Sequence, residues 1–196
     1  APALDALMQA HPGISIELVL SDAYVDLAGQ GMDVAVRLGE LKDSSLNAVR
    51  LASNHRVVCA APSYLAKHAA PQVPRDLLCH NCLLMRFGAG VDREWSFMQA
   101  GKRSSVVVNG NRIANDGSLV RQWCLQGYGI ALKSYWDIQE DLAEGRLVAL
   151  LDSYTTAPSA VHAVYQSGAS ISKRVRAVID TLTQAFKVKS DSISTR

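Results

Sequence analysis

The apolar residues of this chain repeatedly switch their spacing between two and about 3.6, and that alternation constrains its fold more than any other feature. Leu4, Leu7 and Met8 share one face of a helix over Pro2–Gln9, closed by the turn His11–Pro12–Gly13. Ile14, Ile16, Leu18 and Leu20 then alternate as a strand. Ser21–Asp22 can cap a helix running to Gly29–Gly31, with Val25, Ala28 and Met32 facing inward. Val34, Val36 and Leu38 alternate again. A strand, a helical crossover and a second strand imply a parallel sheet with a right-handed connection.

The same alternation runs on. Arg56–Ala61 reads as a strand stopped by Pro62, followed by short helices over Ser63–His68 and Pro74–Leu78. Cys82–Phe87 is a strand, and Trp95–Phe97 with Ser104–Asn109 forms a hairpin around Ala100–Gly101–Lys102. Asn115–Asp116–Gly117–Ser118 opens a helix that buries Leu119, Val120, Trp123 and Cys124 and ends at Gly127. Ile130–Leu132 is a strand, Ser134–Glu144 a helix closed by Gly145, and Leu147–Leu151 and Ala160–Tyr165 are strands. From Ser172, the residues Val175, Val178, Ile179, Leu182 and Phe186 mark a last helix, with a frayed polar tail expected beyond Val188. The middle stretch, about Cys59–Ala163, reads as a complete α/β unit inserted into a first one. Two lobes that the chain crosses twice leave a cleft, the usual place for a small ligand.

Composition excludes several classes of function. A length of 196 residues suits two lobes of roughly 100 each. A net charge of +2 is too small to imply nucleic-acid binding. No apolar run approaches the ~20 residues that span a bilayer, and the N-terminus lacks the pattern of a signal peptide. Cys59, Cys79, Cys82 and Cys124 do not form a disulfide framework, so free thiols in a reducing cytoplasm are expected.

Catalytic signatures are sparse. The phosphate-binding loop, the zinc-protease helix and the serine-nucleophile elbow are all absent from the sequence. Gly88–Ala89–Gly90 opens like a dinucleotide fingerprint, but Arg93 stands where the third glycine belongs. Cys79–His80–Asn81–Cys82 has metal-like spacing without a second ligand pair, so buried structural thiols are the plainer reading. His11, His55, His68 and His162 are scattered and read as surface or packing residues. No catalytic residue, metal or cofactor is expected. The remaining features suit binding. The helix starts at Ser21–Asp22 and Asn115–Gly117 offer unpaired N–H groups and a positive dipole end. Arg37 and Arg86 stand at the C-terminal ends of predicted strands, where a guanidinium can grip an anion. The plainer alternative is that Asp22 and Asp116 only cap helices while the arginines pair with acids. Two glycines in Gly127–Tyr128–Gly129–Ile130 permit either a close approach to a ligand or a sharp turn, and Tyr128 is equally a gate or a packing ring.

Taken in order, four stretches resemble the effector-binding domain of LysR-type transcriptional regulators. They are HPGISIELVLSDAYVDLAGQGMDVAVRLGEL, ASNHRVVCAAPSYLAKHAAPQVPRDLLCHNCL, NDGSLVRQWCLQGYGIALKSYWDI and EGRLVALL. The runs over Asp33–Gly39, Ala61–Leu65 and His80–Leu83 carry most of the likeness. The resemblance implies an α/β fold of two Rossmann-like lobes, of the type II periplasmic-binding-protein kind. One lobe would be residues 1–58 with 164–196, and the other 59–163. It implies a small-molecule effector, anionic or aromatic, between the lobes, with Ser21, Arg37, Gly39, Arg86, Asn115, Asp116 and Gly129 near it. It implies a homodimer or tetramer in which a helix such as Pro2–Gln9 lies beside the partner's Ser118–Gln126. Promoter DNA would be bound only through an N-terminal helix-turn-helix that this sequence does not include. The family's first strand and its ligand-contacting loop also have no counterpart before the first helix. Two other functions share such a scaffold: a solute-binding protein that serves a transporter, and a small-molecule enzyme, which needs a titratable pair in the cleft.

Overall fold

A computed structural model of the chain describes residues 2–21, 27, 29–39, 46–156, 159–166 and 171–194, with side chains to residue 187. The elements follow in order: α1 (Pro2–Ala10), β1 (Val34–Leu38), β2 (Leu46–Ala52), β3 (Arg56–Ala60), α2 (Pro62–Leu65), a 3-10 turn over Pro74–Cys79, and β4 (Cys82–Phe87). Then come β5 (Gly90–Val91), β6 (Glu94–Gln99), β7 (Lys102–Val107), β8 (Arg112–Ala114), α3 (Gly117–Leu125), β9 (Ile130–Ser134) and α4 (Tyr135–Ala143). The last are β10 (Val148–Leu150), β11 (Thr155–Thr156), β12 (Val161–Gln166) and α5 (Lys173–Ser194). Two compact units result. Unit 1 is Ala1–Leu20, Val25–Ser53 and Ser159–Arg196, and unit 2 is Ser21–Tyr24 and Asn54–Pro158. The crossings fall about five residues before the 58/59 and 163/164 divisions that the resemblance implies, and this keeps both β3 and β12 whole.

In unit 1 the last strand occupies the middle of the sheet. The order is β1-β12-β2, and both pairings are antiparallel. The parallel sheet expected from the first residues is therefore not what the described strands form. Ile14–Leu20 is not a strand, and Leu18 and Leu20 are 60% and 84% exposed. Its side chains alternate as expected, but a strand exists only as a member of a ladder, and β1 takes β12 as its neighbour instead. The helix expected after Ser21 lies mostly outside the described residues, although Leu27 is buried. Strand β2 had no counterpart in the sequence reading. Its register shifts opposite Val161 and His162, so Leu51 is an extra residue that breaks the period of two. Helix α1 packs on α5, and α5 packs on β2. Helix α5 continues to Ser194 rather than fraying after Val188, because no glycine or proline interrupts it.

Unit 2 is built on a six-stranded sheet ordered β10-β3-β9-β4-β5, with β8 beside β4. Both faces are covered, which explains why its strands read as continuous apolar runs. On one face Val58, Ala60, Cys82, Leu84, Ile130 and Leu132 pack with Tyr64, Trp95 and Phe97. On the other, Cys59, Leu83, Met85 and Ala131 pack with Val120 and Cys124 of α3 and Ile138 of α4. The i, i+4 pair Val120 and Cys124 forms the buried stripe of α3. Leu119, expected on that stripe, is instead partly exposed one position away.

A buried carboxylate ties the helical face together. Asp141 in α4 is inaccessible to solvent and accepts hydrogen bonds from Arg121 Nε of α3 (2.6 Å) and Arg146 Nε (2.8 Å). Burial alone would raise its pKa, but the two guanidiniums outweigh that, and the carboxyl titrates below its ordinary value. A depressed native pKa adds stability above the unfolded value and loses it as pH falls through the native value. Asp141→Asn is therefore expected to lower unfolding stability by roughly 3 kcal/mol at neutral pH, toward the low end for a broken buried pair because both arginines reach solvent. Urea titrations should show that difference constant above about pH 5 and shrinking toward acid.

Candidate ligand-binding site

The structure gives each residue singled out in the sequence a definite setting. Arg37 sits half-buried in β1 and is engaged by a partner within the chain. Gly39 follows it with φ of 98° and donates its N–H to Ala160 O at 3.0 Å. That conformation favours glycine, so the residue turns the chain out of the strand. Ser21 is exposed and also holds a partner.

The unit 2 residues divide more sharply. Asp116 is the N-cap of α3, with Oδ1 accepting the Leu119 N–H at 2.9 Å. Helix α3 can start there because this aspartate satisfies a donor that the first turn leaves unpaired. Asn115 precedes it and is exposed. Arg86 is exposed at the end of β4, and its Nη1 donates to Ala89 O at 3.3 Å across the turn to β5. That turn contains Gly88–Ala89–Gly90, so these glycines shape a hairpin. Gly129 is buried, and a Cβ there would collide with Asn81 O. Close packing of β9 against the start of β4 thus accounts for Gly129. Gly127 has φ of 74° and closes α3 as expected. Tyr128 lies under the Arg112 guanidinium, 4.2 Å from the ring centroid, which makes it a packing ring.

Two residues, one in each unit, were not singled out for binding in the sequence. Lys133 in β9 is buried, and its Nζ donates to Gly117 O at the first turn of α3 and pairs with Asp137, both at 2.7 Å. It links the start of α3 to the start of α4. His162 in β12 carries a buried Nδ1 with no hydrogen-bond partner. The thiols are mostly enclosed: Cys59, Cys82 and Cys124 are buried and Cys79 is exposed. Cys59 and Cys124 face each other with Sγ atoms 4.0 Å apart. The hydrogen bond between them and burial push the Cys59 pKa well up, and burial pushes Cys82 up to about 12. Among the described residues no group of three or more His, Cys, Asp and Glu is arranged to hold a metal. A pocket of about 200 Å³ within unit 2 is lined by residues including His55, Arg56, Leu150, Tyr154 and Thr156. Its arginine is already paired with Asp92 at 2.6 Å.

Comparison with known proteins places these features in one family. The model described as the LysR substrate binding domain matches residues 1–187. The HTH-type transcriptional regulator DmlR of Escherichia coli (strain K12) is 38% identical over 186 residues, which cover 95% of this chain and 60% of that protein. The regulatory domain of CrgA, a LysR-type transcriptional regulator from Neisseria meningitidis, superposes with a TM-score of 0.80 at 33% identity, over 94% of this chain and 90% of that one. Full-length AphB, the Vibrio cholerae virulence activator and a member of the LTTR protein family, gives 0.78 at 27% identity, over 94% of this chain and 62% of that one. The fold is thus the two-lobed α/β, type II periplasmic-binding-like architecture of such regulatory domains. The chain spans about 60% of the length of curated relatives such as DmlR.

The capping geometry of Asp116 separates a structural role from a ligand role. Asp116→Ala is expected to lower stability by about 1 kcal/mol without any ligand, while Asp116→Asn, an equally good cap, should leave the urea midpoint nearly unchanged.

Proposed function

Because the chain belongs to the LysR substrate-binding domain family, we propose that it is the effector-sensing part of a bacterial transcriptional regulator, responding to a small anionic or aromatic metabolite. The observation that carries this reading is the match of residues 1–187 to that family, together with HTH-type regulators among the relatives. The transporter-associated alternative is not favoured on the same grounds. We infer a binding role rather than an enzymatic one. Binding of promoter DNA belongs, in this proposal, to a helix-turn-helix elsewhere in the full protein, and the chain assembles as a homodimer or tetramer through Pro2–Gln9 and Ser118–Gln126. A cytoplasmic location goes with that role. Among the described residues no helix is long and apolar enough to cross a membrane.

Of the proposed contacts Ser21, Arg37, Gly39, Arg86, Asn115, Asp116 and Gly129, the first place goes to Arg37. It combines a fixed charge with partial burial in a strand, where screening by solvent is reduced. Asn115 keeps an exposed amide beside a helix start. Asp116 and Gly129 already have structural tasks, so their part is to shape the site. A ligand acts as an effector only through a difference in its affinity for two states of the protein.

A thermal-shift screen against small carboxylates and aromatics identifies a binder. A ligand at a hundredfold excess over its Kd adds about 2.7 kcal/mol of apparent stability. Arg37→Ala should then weaken an anionic hit by ~1–3 kcal/mol in calorimetry. An unchanged affinity removes Arg37 from the site, and a screen without any hit counts against the sensor reading.

A further inference from the structure

The unit 1 sheet lines up three basic side chains in one row. Arg37 of β1 stands opposite His162 of β12, and His162 stands opposite Arg50 of β2. Directly opposed residues of antiparallel strands project from the same face of the sheet. The Cα of His162 thus lies between those of Arg37 and Arg50 on the two adjacent strands, roughly 5 Å from each. The row is the last rung of the regular ladder of Leu46–Arg50 against His162–Gln166. The register shifts immediately beyond it, so that Ala52 rather than Leu51 faces Val161 and the row stands at the edge of a bulge. Bulges of this kind often re-aim a side chain next to a functional site. Like charges facing each other across a sheet are unfavourable, so such a row is suited to an anion.

The hydrogen-bonding pattern points the same way. His162 is half-buried, and its Nδ1 is enclosed without a partner. A proton on an enclosed, unpartnered nitrogen leaves a donor unsatisfied, which proteins rarely tolerate. The Nε2–H tautomer avoids that unsatisfied donor and offers an N–H at Nε2. Arg50 is exposed, and its Nη2 donates to the neutral hydroxyl of Ser53 at 3.0 Å. No described carboxylate pairs with Arg50. Arg37 is engaged within the chain.

We propose that His162 and Arg50, beside Arg37, form a binding site for a small oxyanion, a carboxylate or a phosphate, on the unit 1 sheet. His162 Nε2–H and the Arg50 guanidinium donate to the anion's oxygens. The site rests on the reading of this chain as a small-molecule sensor, and it adds two residues that the family resemblance does not supply.

Nitrogen-15 NMR of the histidine rings tests it. The five histidines give separate ring signals, and His162 is assigned by its loss in His162→Gln, or in His162→Asn if the first variant does not fold. Malonate and inorganic phosphate are titrated at constant ionic strength, with uncharged malonamide as control. The expected result is a saturable shift of the His162 Nε2 signal with one or both anions, none with malonamide, and a Kd raised about tenfold in Arg50→Gln. The larger response of the two anions identifies the ligand chemistry. A His162 signal that stays still at saturating anion, or moves equally in Arg50→Gln, overturns the proposal. If a metabolite stabilises the chain in the thermal screen while His162 stays still, the sensor reading stands and this site falls.

Discussion

Strand β12 is the constraint on which unit 1 depends. Both other described strands of that sheet hydrogen-bond to it and neither bonds to the other. Its residues Val161–Gln166 lie more than a hundred positions beyond β2 in the sequence, with all of β3 to β11 between. The first unit therefore cannot close its sheet until the chain has passed through the second. Such a pairing carries a large loop-closure cost, which the burial of Val161, Ala163 and Val164 helps to offset. The same strand brings His162 between Arg37 and Arg50, so topology and the chemistry of the basic row have one origin.

Unit 2 shows a different economy. Its central strands bury both faces, and its helical face is locked by polar groups rather than by apolar packing alone. Asp141 draws α3, α4 and Arg146 onto one carboxylate. Lys133 connects the first turns of the same two helices. Charged groups in such places are costly unless every one is paired, and these are. The arrangement holds the N-terminus of α3 in a defined position.

Much of this was legible in the sequence, and the failures have physical causes. Helices α3 and α4 were readable because their ends carry local signals, the Asp116 cap and the glycines Gly127 and Gly145. Strands β3, β4 and β9 were readable as apolar runs. Strand β2 was not, because Leu51 is an extra residue in the ladder and spoils the alternation. Ile14–Leu20 has the pattern of a strand without a ladder to join, since periodicity reports side chains and not neighbours. Arg37 could be picked out by its place at a strand end. His162 and Arg50 could not, because their neighbourhood exists only once three strands distant in sequence are laid side by side. Lys133 follows the apolar run Ile130–Leu132 with no local signal of burial, and only the fold shows it enclosed.

The distribution of the thiols has a practical result. Three of the four cysteines are shut inside unit 2, and Cys79, the last residue of the 3-10 turn, alone faces water. In its folded form the protein thus carries one chemical handle, placed by the chain itself. A maleimide dye attached there needs no engineered cysteine, and the enclosed thiols would join the reaction only as unit 2 opens.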